Sequence, residues 1–318
     1  MAEGVLRRLL GGLQEGRDLA DGEYSALSDL DRADARTLND AWLSIPVATR
    51  ATCLERALEL ADVNVELHFG ALGRTGLADP DAEVRERAVA LLWESEETDV
   101  AETLARLATD DAGPGVRAAA AAGLQRFVVL RVTGKLSEKV GNAAVAALRQ
   151  AINDPAVEVR ANAIESIGAL PEEWAQEAIL DAYEGGDDQL RLSAIRAMGY
   201  SGLTRWEEYL EEEFLSGNPE IRFEAVVAAG NLGSPLLIEP LGELLNDEDP
   251  ELVLAVIEAI GEIGGEDAIE LLDAFAPEAP EGFEEAIENA RAAAAEEGLF
   301  RSFGDLDGAS GHDGDEDE

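Results

Sequence analysis

The sequence predicts an all-α fold, an α-solenoid of stacked antiparallel helix pairs, and three observations predict it. The first is a period. Aligned on an arginine, LADPDAEVRERAVALLW, TDDAGPGVRAAAAAGLQ, INDPAVEVRANAIESIG, GGDDQLRLSAIRAMG and SGNPEIRFEAVVAAG carry Arg85, Arg117, Arg160, Arg191 and Arg222. NDEDPELVLAVIEAIG keeps the frame with Val253 in that place, and the steps are 32, 43, 31, 31 and 31 residues. Self-similarity at a fixed period of about 20–50 residues marks a repeat array. The second is the apolar spacing. Val159, Ala163, Ile164 and Ile167 fall at i, i+4, i+5 and i+8, one face of a helix. The third is punctuation. Asp-Pro precedes several of these helices, with Asp expected as N-cap and Pro at the first helical position, where its missing N–H costs nothing. Gly168, Gly199, Gly230 and Gly261 each fall eight residues after the aligned position. A second helix fills the period, as at 172–183 and 205–215. A lone pair cannot bury both of its faces, so successive pairs must stack.

The elements follow in order. Residues 1–36 read as an atypical helical cap, with turns at 5–13 and 24–30. A solenoid over 37–297 opens on a degenerate pair, 33–44 and 46–60, in which Arg50 stands 35 residues before Arg85. The segment 65–78 leads into the regular repeats, and the long step of 43 marks an insertion at 126–139. A last pair, 266–275 and 283–297, has an acidic outer surface. The tail 298–318 is acidic and, from Gly304 on, has a single Leu; it is read as disordered because it has too little to bury.

The period near thirty, with Asp-Pro, about three residues, Val-Arg, small and apolar residues and then Gly, resembles the HEAT-like repeats of the phycobilisome (PBS) lyase type. The resemblance is clear over 77–264 and stretches to 37–297. It implies the solenoid fold and, less sharply, a function, because such repeats resemble phycobilin lyases, a metal-dependent deoxyhypusine hydroxylase and plain scaffolds. The His-Glu pairs that the hydroxylase resemblance requires for iron are absent, since the histidines are His68 and His312.

Composition bounds the rest. There are 68 acids against 24 bases, a net charge of −44, and the lysines are Lys135 and Lys139 alone. Like charge on that scale opposes compaction. In about 1 M salt the Debye length falls to about 3 Å and the repulsion fades. An acid-rich, lysine-poor, alanine-rich chain therefore suggests a halophilic cytoplasm; the rival reading is an acidic surface for a basic partner. The run 5–13 is broken by Arg7 and Arg8, unlike a signal peptide, and no segment approaches the roughly 18 apolar residues of a membrane helix. The one cysteine, Cys53, fits a reducing compartment.

Three candidate sites emerge. The column Arg50, Arg85, Arg117, Arg160, Arg191 and Arg222 is read as a structural ladder, each guanidinium bonding a turn acid of its own or the next repeat. The acids expected are Asp79, Asp111, Asp154, Asp188 and Asn218; the other reading is an anion-binding groove. The insertion gathers Arg126, Arg131, Lys135 and Lys139 against one acid, Glu138. It is either a docking loop for an acidic or phosphate-bearing partner or a strand-like plug built on Phe127, Val128, Val129 and Leu130. In the groove, Arg87, Asn162, Glu165, Ser193, Arg196, Glu224, Val227 and Glu258 should share a face. Leu192, Phe223 and Leu254 form an apolar stripe that either receives a partner helix or packs between repeats. Trp174 and Trp206 are read as packing residues, and Cys53, aligned with Ala88, Ala120, Ala163, Ala194 and Ala225, as a core thiol.

No catalytic, cofactor or metal residues are assigned, and no phosphate-loop, dinucleotide or nucleophile-elbow motif is present. The reading is a non-enzymatic HEAT-repeat scaffold that binds a protein partner. The alternatives are an enzyme of lyase or hydroxylase type inherited with the fold, or a nucleic-acid binder in the groove. The last suffers from acidity, since affinity there rests on phosphate neutralisation by Lys and Arg.

Overall fold

The computed structural model describes residues 3–308 apart from Gly186, and the side chains of 4–296 among them. Every regular element among these is helical. The fold is an α-solenoid of stacked helix pairs, and the chain falls into two compact units, Met1–Leu170 and Pro171–Glu318.

In the N-terminal unit, α1 (Glu3–Gln14) and α2 (Asp21–Tyr24) form the cap. Leu6, Leu9, Leu10 and Leu13 lie on one face of α1 and are buried. Three pairs follow: α3 (Arg32–Trp42) with α4 (Val47–Val63), α5 (Gly70–Leu77) with α6 (Ala82–Leu91), and α7 (Thr98–Asp110) with α8 (Pro114–Gly123). Helix α9 (Gln125–Val132) interrupts the series before α10 (Glu138–Ala151) pairs with α11 (Val157–Ser166). The second helices α4, α6, α8 and α11 stack side by side. The column three residues after the aligned arginine makes this stacking close. Cys53, Ala88, Ala120 and Ala163 are all fully or almost fully buried there, and short side chains let neighbouring helices approach.

The C-terminal unit repeats the design. α12 (Glu173–Glu184) pairs with α13 (Asp188–Tyr200), and α14 (Glu207–Glu213), entered through a short 3₁₀ turn at Thr204–Trp206, pairs with α15 (Pro219–Leu232). α16 (Ile238–Glu243), flanked by 3₁₀ turns at Pro235–Leu237 and Leu244–Asn246, pairs with α17 (Pro250–Ile263), and α18 (Glu266–Phe275) with α19 (Glu284–Gly308). Here α13, α15, α17 and α19 stack in turn. The recurring glycine is the point of nearest approach. A Cβ on Gly199, Gly230 or Gly261 would lie 2.8, 2.9 or 2.8 Å from the Cα of Ala228, Ala259 or Ala290 on the next helix. Of the tail expected from 298 on, α19 takes in the residues to Gly308, and 309–318 lie outside the described residues.

The punctuation divides into two kinds. Asn218 and Asp249 cap their helices through Glu220 N and Glu251 N, each at 3.0 Å, with Pro at the first helical position as expected. Asp79 and Asp154 do not. Their helices start later, at Ala82 and Val157, and the carboxylates accept the N–H of Asp81 and Ala156 at 2.9 Å. These two carboxylates are committed to an arginine of the preceding repeat.

Candidate functional site

That arginine contact is the first of the three sites. Arg85 forks onto Asp111 through Nε and Nη2, both at 2.8 Å, while Nη1 donates to the Asp79 carbonyl at 2.7 Å. Arg117 repeats the geometry one pair later, onto Asp154 at 2.8 and 2.9 Å and the Asp111 carbonyl at 2.8 Å. Arg50 donates from Nη2 to Asp79 Oδ1 at 3.1 Å and from Nη1 to the Ile45 carbonyl at 2.7 Å. Its Nε lies 2.8 Å from Asp79 Oδ2, an ion-pair approach at a poor angle for a hydrogen bond. Each arginine therefore ties a turn carbonyl of its own repeat to the turn carboxylate of the next. Planar forks on carboxylates are strong and geometrically demanding.

The column changes in the later repeats. The residue six before the aligned position is Asp at 79, 111 and 154, but Gly185 and Ser216 stand in the next two repeats. Arg160 donates to the carbonyls of Asp154 and Pro155, at 2.8 and 3.1 Å. Arg191 pairs with Glu213, a buried carboxylate that also accepts from Tyr183 Oη at 2.6 Å. Its guanidinium sits 4.7 Å from the Tyr183 ring centre. Arg222 donates to the Ser216 carbonyl at 2.8 Å, and its Nε is buried without a hydrogen-bond partner. The expected acids Asp188 and Asn218 do not join the ladder. Asn218 is spent as a cap, and Glu213, on the preceding helix, takes the Arg191 rung. Tyr183 and Glu213 carried no period-related signal in the sequence.

The rungs make stability depend on pH. The pair with Arg117, against the opposing effect of burial, holds the Asp154 carboxyl below its ordinary range. Burial pushes Asp111 up, but the Arg85 pair and the Gly113 N–H outweigh it, so Asp111 is lowered too. A folded-state pKa below the unfolded one contributes stability that is full above the unfolded value, about 3.9, and lost as pH falls through the folded one. Urea denaturation should therefore show the N-terminal unit losing stability below about pH 4. The loss should be shallower in Asp111→Asn and Asp154→Asn, and an unchanged slope in both variants would assign the acid sensitivity elsewhere.

The insertion is the second site. The run expected to be strand-like is helical, α9, with Phe127, Val128 and Leu130 buried and Val129 and Val132 exposed. A short apolar run carries no periodicity that separates strand from buried helix, and the helix wins by packing against α8, α10 and α11. Gly134 closes it in the left-handed region at φ +70°, with Lys135 N–H returning to the Leu130 carbonyl at 2.8 Å. The four bases separate. Arg126 reaches Glu96 at 2.7 Å, and Arg131 approaches Asn142 Oδ1 at 3.4 Å beside Gly141. Lys135 and Lys139 are exposed, and no ion pair joins either to a described residue.

The third site is the face of the second helices. Asn162 donates to the Ala118 carbonyl at 3.0 Å, binding α11 to α8. Arg196 forks onto Glu224 between α13 and α15, with Nε at 2.9 Å from Oε2. Arg87 pairs with Glu83 at 3.0 Å and Ser193 is buried. The apolar stripe is unequal. Leu192 is buried, whereas Phe223 and Leu254 are 40% and 38% exposed.

The remaining features are structural. Trp206 is fully buried and donates to Gln176 at 3.2 Å, while Trp174 is half-buried. Cys53 is buried beside Tyr24, and burial pushes its thiol up to about 12. The sequence reading missed Trp42, whose indole donates to Asp79 Oδ2 at 2.6 Å. It also missed a cleft of about 520 Å³ lined by Asp29, His68, Arg74, Trp93 and Glu94, among others. No cluster of three or more His, Cys, Asp or Glu side chains suited to a metal exists among the described residues. Among them too, no helix is long and apolar enough to cross a membrane. His312 lies outside them.

The HEAT repeats family matches residues 203–295. No curated protein matches the chain. Among solved structures, YibA of E. coli is 17% identical with a TM-score of 0.46, covering 87% of this chain and 98% of its own. The CpcE–CpcF complex of phycocyanin lyase from Nostoc sp. is 18% identical with a TM-score of 0.48, over 71% of this chain and 94% of that one. Human deoxyhypusine hydroxylase is 18% identical with a TM-score of 0.35, over 87% and 97%.

Proposed function

We propose that this chain is a non-enzymatic HEAT-repeat scaffold that holds a protein partner, with the α9–α10 hairpin as its leading contact. One observation carries the reading. In a chain of net charge −44, the two lysines stand exposed in the turn that follows the added helix α9 and in the first turn of α10, and no described acid forms an ion pair with them. The other bases of the insertion are already engaged by Glu96 and Asn142, so Lys135 and Lys139 are the groups left for an acidic surface. The wide spread of acids fits a salt-rich cytoplasm, where hydrophobic contacts and closely paired charges persist while distant ones are screened.

The test is charge reversal. Lys135→Glu/Lys139→Glu should leave the melting temperature within about 2 °C of the parent, since solvated surface charges are worth little to stability. Proteins cross-linked to the parent chain in a high-salt lysate should be lost from the variant. An unchanged set of cross-linked proteins would overturn the hairpin as the contact.

A further inference from the structure

We propose that the exposed face of α15 and α17 in the C-terminal unit is a second docking surface, and that its occupant is a basic amphipathic helix of a partner protein. The proposal rests on the scaffold reading and names the chemistry of one partner segment.

The face is narrow and regular. Between Glu251 and Ile263, α17 exposes only Glu251, Leu254, Glu258 and Glu262, a stripe at i, i+3, i+7 and i+11. On α15 the exposed residues Glu220, Phe223 and Asn231 run parallel to it, with Val227 half-buried. Phe223 and Leu254 are equivalent positions 31 residues apart, on helices packed backbone to backbone through Gly230 and Ala259. Helices so packed sit toward the near end of the usual 8–10 Å, roughly. The two side chains thus make one apolar strip, 40% and 38% exposed.

The charge around the strip is predominantly negative. Glu220 and Glu251 flank it at one end and Glu258 and Glu262 at the other, and none forms an ion pair with a described residue. Of the arginines of α13 and α15, Arg191 and Arg196 are paired with carboxylates, Glu213 and Glu224, and Arg222 bonds the Ser216 carbonyl. Glu258 and Glu262 stand one turn apart, and burial together with the Glu258 charge pushes the Glu262 carboxyl up. A cation placed there relieves that repulsion.

The complement is therefore a helix with apolar side chains at i, i+3 or i+4 and i+7, which span about 10 Å, flanked by Lys or Arg. An acidic helix or a nucleic acid meets uncompensated carboxylates instead. Because any polycation is drawn to this chain, the experiment must separate register from bulk charge. Fluorescence anisotropy would compare two labelled peptides of about 15 residues. One is an amphipathic Lys/Leu helix, and the other has the same composition scrambled to spread its leucines. Both are titrated with the full chain in salt where circular dichroism shows it folded.

The amphipathic peptide should bind at least about tenfold more tightly than the scrambled one. Phe223→Ser/Leu254→Ser should abolish that difference with helicity retained, and Leu254→Ser alone should halve it or more. Glu251→Gln/Glu258→Gln/Glu262→Gln should weaken binding of the amphipathic peptide and flatten its salt dependence. Equal binding of both peptides, or full affinity in folded Phe223→Ser/Leu254→Ser, would overturn the proposal. The lysine reversal on the hairpin is read independently: if it still loses its cross-linked partner while the peptides fail, the scaffold reading stands and only this surface is wrong.

Discussion

Replacing Asp79 by alanine should destabilise the N-terminal unit by about 3–5 kcal/mol, the cost of leaving a buried charge without its partner. Asp79 is 2% exposed and Arg50 6%, so the guanidinium cannot turn to water when the carboxylate is removed. The same carboxylate also accepts from the Trp42 indole and the Asp81 N–H, and each buried donor left unsatisfied adds about 1–3 kcal/mol. Asp79 joins three helices through these contacts: Trp42 closes α3, Arg50 lies in α4, and Asp81 caps α6. Hydrogen exchange should therefore show α3, α4 and α6 losing protection together, ahead of α10. Removing both charges is different from removing one. Arg50→Met/Asp79→Leu should recover the part of the loss that comes from the unpaired Arg50 charge, while the Trp42 and Asp81 donors stay unsatisfied as in Asp79→Ala. If Asp79→Ala costs under about 1 kcal/mol, the rung is solvated and the ladder is not what holds these repeats together.

Much of this was legible before any coordinate, and the reason is repetition. A single arginine near a helix start carries little meaning, but Arg85, Arg117 and Arg160 in register with Asp79, Asp111 and Asp154 pointed to a paired column. The period does not carry what happens when the pattern is broken. Gly185 and Ser216 displaced the acid, and only packing brings Glu213 to Arg191. Equal register also did not mean equal exposure. Leu192 is buried where Phe223 and Leu254 are not, since exposure depends on the neighbouring helix as well as on the position along one's own. The α9 run looked like a strand because four consecutive apolar residues contain no helical period to read. Charge counting found the hairpin, but only geometry separates the engaged Arg126 from the exposed Lys135 and Lys139.

The recurring glycine was legible as a marker and illegible as a cause, and it supports the second large effect. Gly230→Val should destabilise the C-terminal unit by about 3 kcal/mol or more, at the upper end of overpacking costs. Helix propensity alone predicts the opposite for a smaller change, since Gly→Ala in a helix interior stabilises by about 1 kcal/mol. Gly230→Ala therefore sets the two effects against each other. A Cβ at Gly230 would meet Ala259 Cα at 2.9 Å and its Cβ at 3.1 Å, with the Glu262 carboxylate nearer still. The carboxylate sits on a flexible side chain and can move away. The Ala259 backbone can move only if α15 and α17 separate, and Gly199 against Ala228 and Gly261 against Ala290 hold the neighbouring helices at the same short distance. Gly230→Ala should therefore lower stability in spite of its propensity gain. Gly230→Ala/Ala259→Gly should restore part of the loss by moving the methyl across the contact, which a propensity effect cannot do. Guanidinium denaturation followed by circular dichroism measures all three variants. A Gly230→Ala chain as stable as the parent or more so would mean that the 31-residue glycine ends a helix and does not set the distance between repeats.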